Sequence, residues 1–235
     1  MKRLLLLLAL LPALGACKQG HPISVNVNPE FQSIGDEGML VYEKIAVFPF
    51  MSALYSADDP DRIAPRTMGA YFMEELNTRR DYRFISPNTV EYAVEQNGWT
   101  NRYREFVSSY PSSDEPDAAL LSDLAKALQC DAFLVPVVDT WQKDEVDIQE
   151  NASAATYVGA TITIIDGSRE PGKVLFRAVD EDYAEGARSE TAGRSIVRVA
   201  GRVRSDTGAK SYAAPGFQDV APRVARNLVT SLPPR

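Results

Sequence analysis

The chain has 235 residues, a formal charge of −7 and a hydrophobic content of 45%, a balance typical of a globular protein. The acidic excess argues against general nucleic-acid binding, which needs a basic field. His21 is the only histidine and Cys17 and Cys130 are the only cysteines. That composition argues against a Ser-His-Asp arrangement, a Cys-His pair within the domain, a histidine-based zinc site and an internal disulfide framework. No cofactor and no metal centre are expected.

The first twenty residues have a pattern of their own. Met1-Lys2-Arg3 is a basic start, and Leu4 to Leu14 is apolar apart from Pro12. These are the n-region and h-region of a secretory signal, and the run is too short for a membrane span of about 20 residues. It ends in Leu14-Gly15-Ala16-Cys17, which resembles the bacterial lipobox. The resemblance implies diacylation of the Cys17 thiol with palmitate-type chains, cleavage before Cys17 and acylation of the new amino terminus. Several acyl chains at about 0.8 kcal/mol per buried CH₂ make a stable bilayer anchor. Lys18 stands where an aspartate favours inner-membrane retention, so the resemblance implies the outer membrane, facing the periplasm. The expected organisation is a signal peptide over 1–16, the lipidated Cys17 with a flexible tether and some docking over 17–41, and a single α/β domain over 42–232.

Along the domain, Tyr42 to Phe50 reads as a buried strand ended near Pro49. Met68, Phe72 and Leu76 recur every four residues and predict a helix over 64–79, with Pro65 in its first turn. A short strand over 82–85 precedes a helix opened by Ser86-Pro87, with Val90 and Val94 inward and a stop at Asn97-Gly98. One more helical piece falls over 99–110. The next helix carries Leu121, Leu124, Ala125 and Leu128, with Ser113 or Asp114 as its cap and Pro116 in its first turn. Residues 131–141 form an apolar strand in which Pro136 predicts an edge or a bulge. Residues 154–166 alternate, with Val158, Ala160, Ile162 and Ile164 on one face. Asp166-Gly167 begins a turn into a partner strand over 173–180. Residues 183–213 are weakly patterned. A helix near 219–231 closes the chain, with Pro222 in its first turn and Pro233 ending it. The fold class is α/β, a mixed sheet flanked by helices in the order β-α-β-α-α-β-β-β-α, with a crossover early and antiparallel pairing late.

Three stretches carry a further resemblance. They are Lys44 to Phe50 (KIAVFPF), Leu124 to Val135 (LAKALQCDAFLV), and Ile164 to Gly167 with Lys173 to Phe176. They resemble the opening strand, the helix-to-strand junction and the hairpin of a bacterial envelope group. That group comprises the TolB amino-terminal domain, the LpoB-type activators and the CsgG-like lipoproteins. Cys130 stands where that group has a small residue, and Pro136 where glycine is common. The sequence shows no pair of long amphipathic hairpins such as the curli channel uses to cross its membrane. The resemblance implies non-enzymatic docking or assembly work on another envelope protein, with a homo-oligomeric ring in a secretion or export apparatus as the alternative. An enzyme acting on cell-wall or lipid substrates is a third reading.

Candidate chemistry is sparse. Asp144, Glu145 and Asp147 follow a strand and suggest either a calcium site or a solvated loop. Asp58, Asp59 and Asp61 pose a similar choice between a ligand loop at a strand end and helix-start acids. Asp166 reads as a turn residue before a nucleophile, and Cys130 as a buried thiol. Residues 183–216 are locally basic. If helical, they place Arg194, Arg198 and Arg202 on one face, with Arg204 nearby, as a stripe for an anionic partner surface.

Overall fold

Ile45, Ala46 and Val47 are all buried because strand β2 (Lys44–Val47) lies between two other strands and under helices on both faces. The computed structural model describes residues 22–32, 42–144, 154–186, 196–199, 202–205 and 214–234. The remaining strands are β1 (Ser24–Val27), β3 (Met51–Ser52), β4 (Arg83–Ile85), β5 (Ala132–Asp144), β6 (Ala155–Asp166), β7 (Val174–Glu185), β8 (Ile196–Val199) and β9 (Arg202–Ser205). The helices are α1 (Ile63–Leu76), α2 (Pro87–Gln96), α3 (Thr100–Ser113), α4 (Ala118–Leu128) and α5 (Ala221–Ser231).

A seven-stranded mixed sheet runs β1-β7-β6-β5-β2-β4, with β3 also paired to β5. β2 is parallel to both β4 and β5, whereas β5, β6 and β7 are antiparallel neighbours. The expected crossover and late hairpins are both present. β5 reads as a continuous apolar run because both of its faces are interior. Ala132, Leu134 and Val138 meet α1 and α5, while Phe133, Val135 and Val137 meet α2, α3 and α4. The α1 positions Met68, Phe72 and Leu76 are essentially inaccessible, and each such side chain contributes about 1.5–3 kcal/mol by burial.

Several expectations need correction. Pro136 sits neither at an edge nor at the bulge, which falls between Val138 and Thr140. The Leu134 carbonyl accepts from the Phe48 N–H at 2.9 Å, and the Val138 carbonyl from the Ala53 N–H at 2.9 Å. Pro136, midway between them, therefore faces the break between β2 and β3, where no ladder donor is required. The cap of α4 is Asp117, whose carboxylate accepts from the Leu120 N–H at 2.9 Å; Asp114 is the C-cap of α3 and Pro116 precedes α4. The same Asp117 takes a bidentate pair from Arg102 at 2.7 and 2.8 Å, which locks α3 to α4 and holds its carboxyl below the usual range. Part of the expected tether belongs to the sheet. β1 pairs with β7, and Phe31 in the short 3-10 turn after it is buried, stacked on Tyr82 at 6.0 Å between ring centres. Residues 17–21 and 33–41 lie outside the described residues.

The α4–β5 junction is held by Asp131. Its carboxylate accepts from the Glu43 and Lys44 N–H groups at 2.9 and 2.8 Å. Gln129 ends α4 in the left-handed region, with φ 51° and ψ 50°, a conformation that costs a residue bearing a Cβ. Gln129→Gly is expected to raise stability by about 0.5–1 kcal/mol. The check is a higher urea midpoint at unchanged m-value.

Candidate functional site

Among the described residues, those flagged in the sequence are not brought together at one site. Cys17 and Arg194 lie outside the described residues, as do Glu145 and Asp147. Arg198 falls in β8, and Arg202 and Arg204 in β9, two strands paired antiparallel with Arg198 opposite Val203 and Arg202 opposite Val199. The helical spacing that would align 194, 198 and 202 therefore does not apply, since that backbone is extended rather than wound at 3.6 residues per turn. Asp144 accepts from the Gln142 side-chain amide at 2.6 Å. Among the described residues no cluster of three or more metal-ligating side chains occurs, and no helix is long and apolar enough to cross a membrane.

The three buried acids among the described residues each have a structural task. Asp59 is buried and receives the Ile63 and Ala64 N–H groups at 2.8 and 3.0 Å, which caps the start of α1 and contributes about 1 kcal/mol. Asp166 is fully buried. One of its oxygens accepts from the Ser168 and Arg169 N–H groups at 2.8 and 3.0 Å. The other accepts from the Glu170 N–H at 2.9 Å and the Tyr42 hydroxyl at 2.8 Å. Burial works to raise its pKa, but the Glu170, Arg169 and Ser168 N–H groups with the Tyr42 hydroxyl outweigh it, leaving the carboxyl below its ordinary range. Asp180 on β7 is buried against α5 and accepts from the Asn227 amide at 3.0 Å; burial raises its pKa.

Cys130 is buried at the α4–β5 junction, and its thiol is pushed up to about 12, by burial first and by the Asp131 charge second. A thiol in that state carries almost no thiolate near neutrality. It should stay unmodified by a thiol reagent at pH 8 in the native protein and react fully in urea, as read by mass spectrometry.

The described residues do form a preorganised concavity at the end of the parallel strands. α1 follows β2 and the short β3 and covers one face, and α2 follows the adjacent parallel strand β4 and covers the other. This divergence is the topological switch point at which α/β sheets bind ligands. A cavity of about 380 Å³ opens there, with Phe48, Pro49 and Phe50 on one side, Pro65 and Met73 of α1 on another, and Pro87 of α2 closing it. Arg62 and Arg66 also line it, and both are exposed. Its walls are held by ring packing. Phe48 lies 5.7 Å from Tyr103 and edge-on to Phe106 and Phe133 at 5.4 and 5.5 Å, and Phe50 is edge-on to Phe72 at 5.4 Å. The sequence pointed to this loop through its acids, whereas the cavity is apolar with arginines. The usable signals were the Phe-Pro-Phe run after a strand and Gly69 inside a helix, where glycine costs about 1 kcal/mol relative to alanine.

No family model matches the chain, and no curated protein matches it. Among solved structures it is similar to the lipoprotein GNA1162 from Neisseria meningitidis at 20% identity and a TM-score of 0.44, over 63% of this chain and 88% of that one. It is also similar to a PelC dodecamer subunit from Paraburkholderia phytofirmans at 14% identity and a TM-score of 0.47, over 91% and 99%. A third is the LpoB C-terminal domain from Salmonella enterica, at 7% identity and a TM-score of 0.35, over 59% and 81%. At these scores they are likenesses only, and the functional reading rests on the residues of this chain.

Proposed function

We propose that the chain is a membrane-anchored periplasmic lipoprotein that serves as a non-enzymatic docking or assembly factor of the cell envelope, held in the outer membrane by acylated Cys17. The observation that carries this reading is Leu14-Gly15-Ala16-Cys17 placed shortly before a folded domain whose first strand begins at Ser24. Residues 18–23 span at most about 20 Å when fully extended. On this reading the α/β domain works close to the bilayer surface, and its partner is an envelope protein reachable there. The structural employment of Asp59, Asp117, Asp131 and Asp166 supports a scaffold rather than a catalyst.

The test is site-specific photo-cross-linking in living cells, with probes placed across the exposed surface and Cys17→Ser as the control. The wild type is expected in the membrane fraction with a defined cross-linked envelope protein, and the Cys17→Ser chain is expected to be released from the membrane. A wild-type chain that is soluble after cell breakage, or that cross-links to no envelope protein from any surface, would overturn the reading.

A further inference from the structure

We propose that the cavity between α1 and α2 is the docking pocket, and that its occupant is an acidic peptide segment of the partner that inserts a bulky apolar side chain between flanking carboxylates. This deepens the docking reading and rests on it.

The walls select an apolar group. Phe48, Pro49, Phe50, Pro65, Met73 and Pro87 offer almost no hydrogen-bonding groups from their side chains, and the aromatic packing behind them fixes their positions before binding. Preformed apolar concavities with a few polar groups at the rim are the usual form of such sites. The volume, about 380 Å³, accommodates one or two large side chains rather than a folded element. The same β3–α1 segment also exposes Tyr55 and Ile63, 81% and 49% accessible, which extends apolar surface around the start of α1.

The rim selects negative charge. Neither the Arg62 nor the Arg66 guanidinium has an ion-pair partner among the described residues, although Asp58, Asp59 and Asp61 precede them in sequence. Asp59 is committed to the Ile63 and Ala64 N–H groups. The N-terminus of α1 is thus already satisfied, and attraction for an anion comes from the two guanidinium groups. Arg62 is held at φ 50° and ψ 44°, a left-handed conformation costing a non-glycine residue on the order of 1 kcal/mol. In a protein of net charge −7, an acidic partner is repelled in general, and two arginines without ion-pair partners among the described residues, set beside an apolar cavity, give it a local attraction there.

Gly69 makes the pocket separable from the fold. A Cβ there would meet only the Phe50 ring, at 3.8 Å, so Gly69→Leu fills the cavity while improving helix propensity. The experiment uses the full chain in neutral detergent and fluorescence anisotropy of a labelled dodecapeptide with a central Leu-Phe pair flanked by two aspartates on each side. Control peptides carry lysines for the aspartates, or Ser-Ser for Leu-Phe. The acidic Leu-Phe peptide is expected to bind saturably. Its Kd should rise about tenfold or more in Gly69→Leu and in the Arg62→Glu, Arg66→Glu double variant. The double variant is expected to gain affinity for the lysine-flanked peptide. Binding no tighter than the controls, or unchanged by Gly69→Leu, would overturn the proposal. So would phosphatidylglycerol vesicles binding in a Gly69-dependent manner while the peptide does not, since the occupant is then a lipid. The two readings fail separately. Cross-linking in cells that captures the same envelope protein equally in wild type and Gly69→Leu leaves the docking function standing and removes this pocket from it.

Discussion

Replacing Asp166 with alanine is expected to destabilise the protein by about 3–5 kcal/mol, because a buried carboxylate that accepts four hydrogen bonds of 3.0 Å or shorter at a turn is removed. The Ser168, Arg169 and Glu170 N–H groups lose their partner, and so does the Tyr42 hydroxyl, 124 residues away in sequence. The turn has little room to relax. A Cβ on the neighbouring Gly167 would already lie 2.5 Å from the Phe133 ring, and Gly172 completes the turn at φ 94°. Asp166→Asn keeps one acceptor oxygen but turns its amide toward the Glu170 N–H, so about half the loss is expected. The pH dependence is a second readout. The folded pKa lies below the ordinary value of 3.8, so the carboxylate's contribution is complete above that value and is lost as pH falls through the folded pKa. Asp117, lowered chiefly by the Arg102 guanidinium, acts in the same direction. Urea melts of wild type and Asp166→Asn should therefore converge as the pH is lowered through and below 3.8. A loss under 1 kcal/mol for Asp166→Ala at neutral pH would contradict this account.

Arg79→Ala is expected to cost about 2–4 kcal/mol. The Arg79 guanidinium donates to the carbonyls of Val229, Leu232 and Pro233 at 3.0, 3.1 and 2.9 Å, and pairs with Asp81. It thereby bonds carbonyls at and just past the carboxyl end of α5, where the i+4 donors run out and the dipole favours a cation. Tyr82 adds a hydroxyl bond to the Pro233 carbonyl at 3.1 Å. Without Arg79 those carbonyls and Asp81 lose their shared partner, while the apolar face of α5 (Val224, Ala225, Leu228, Val229) still packs on the sheet and on α1. The loss should appear first as faster hydrogen exchange in the last turns of α5, and as an earlier unfolding transition. Arg79→Lys should recover less than half of the stability, since an ammonium cannot span four acceptors in the geometry of the planar fork. Equal exchange rates in α5 for wild type and Arg79→Ala would refute the clamp.

The long periodic elements were legible in the sequence. The Met68, Phe72, Leu76 spacing, the β6 alternation from Val158 to Ile164 and the apolar β5 run each appear where expected, because period and burial determine them locally. Shorter elements were not. β1, with the sequence Ser-Val-Asn-Val, exists because the free edge of β7 pairs with it from residues 176–179, and no local signal encodes an edge so far away. β3 is two residues long and forms only against β5. Pro136 shows the same dependence in reverse. A proline that argues for an edge is accepted in an interior strand, because the neighbouring strand is broken at that point.

Composition and periodicity were enough for the apolar start ending at Cys17, the α/β class, the helical faces and the scarcity of catalytic residue types, since neither needs knowledge of what lies across the fold. Asp59 and Asp166 already read as a helix-start acid and a turn residue, but only the tertiary structure decided that Tyr42 reaches the Asp166 carboxylate and that Arg79 reaches the end of α5. It also decided that Phe48, Phe50, Arg62, Arg66 and Pro87 share one cavity. The physical reason is that a side chain's task is set by its unpaired neighbours, and those neighbours come from strands and helices that only the closed sheet brings together.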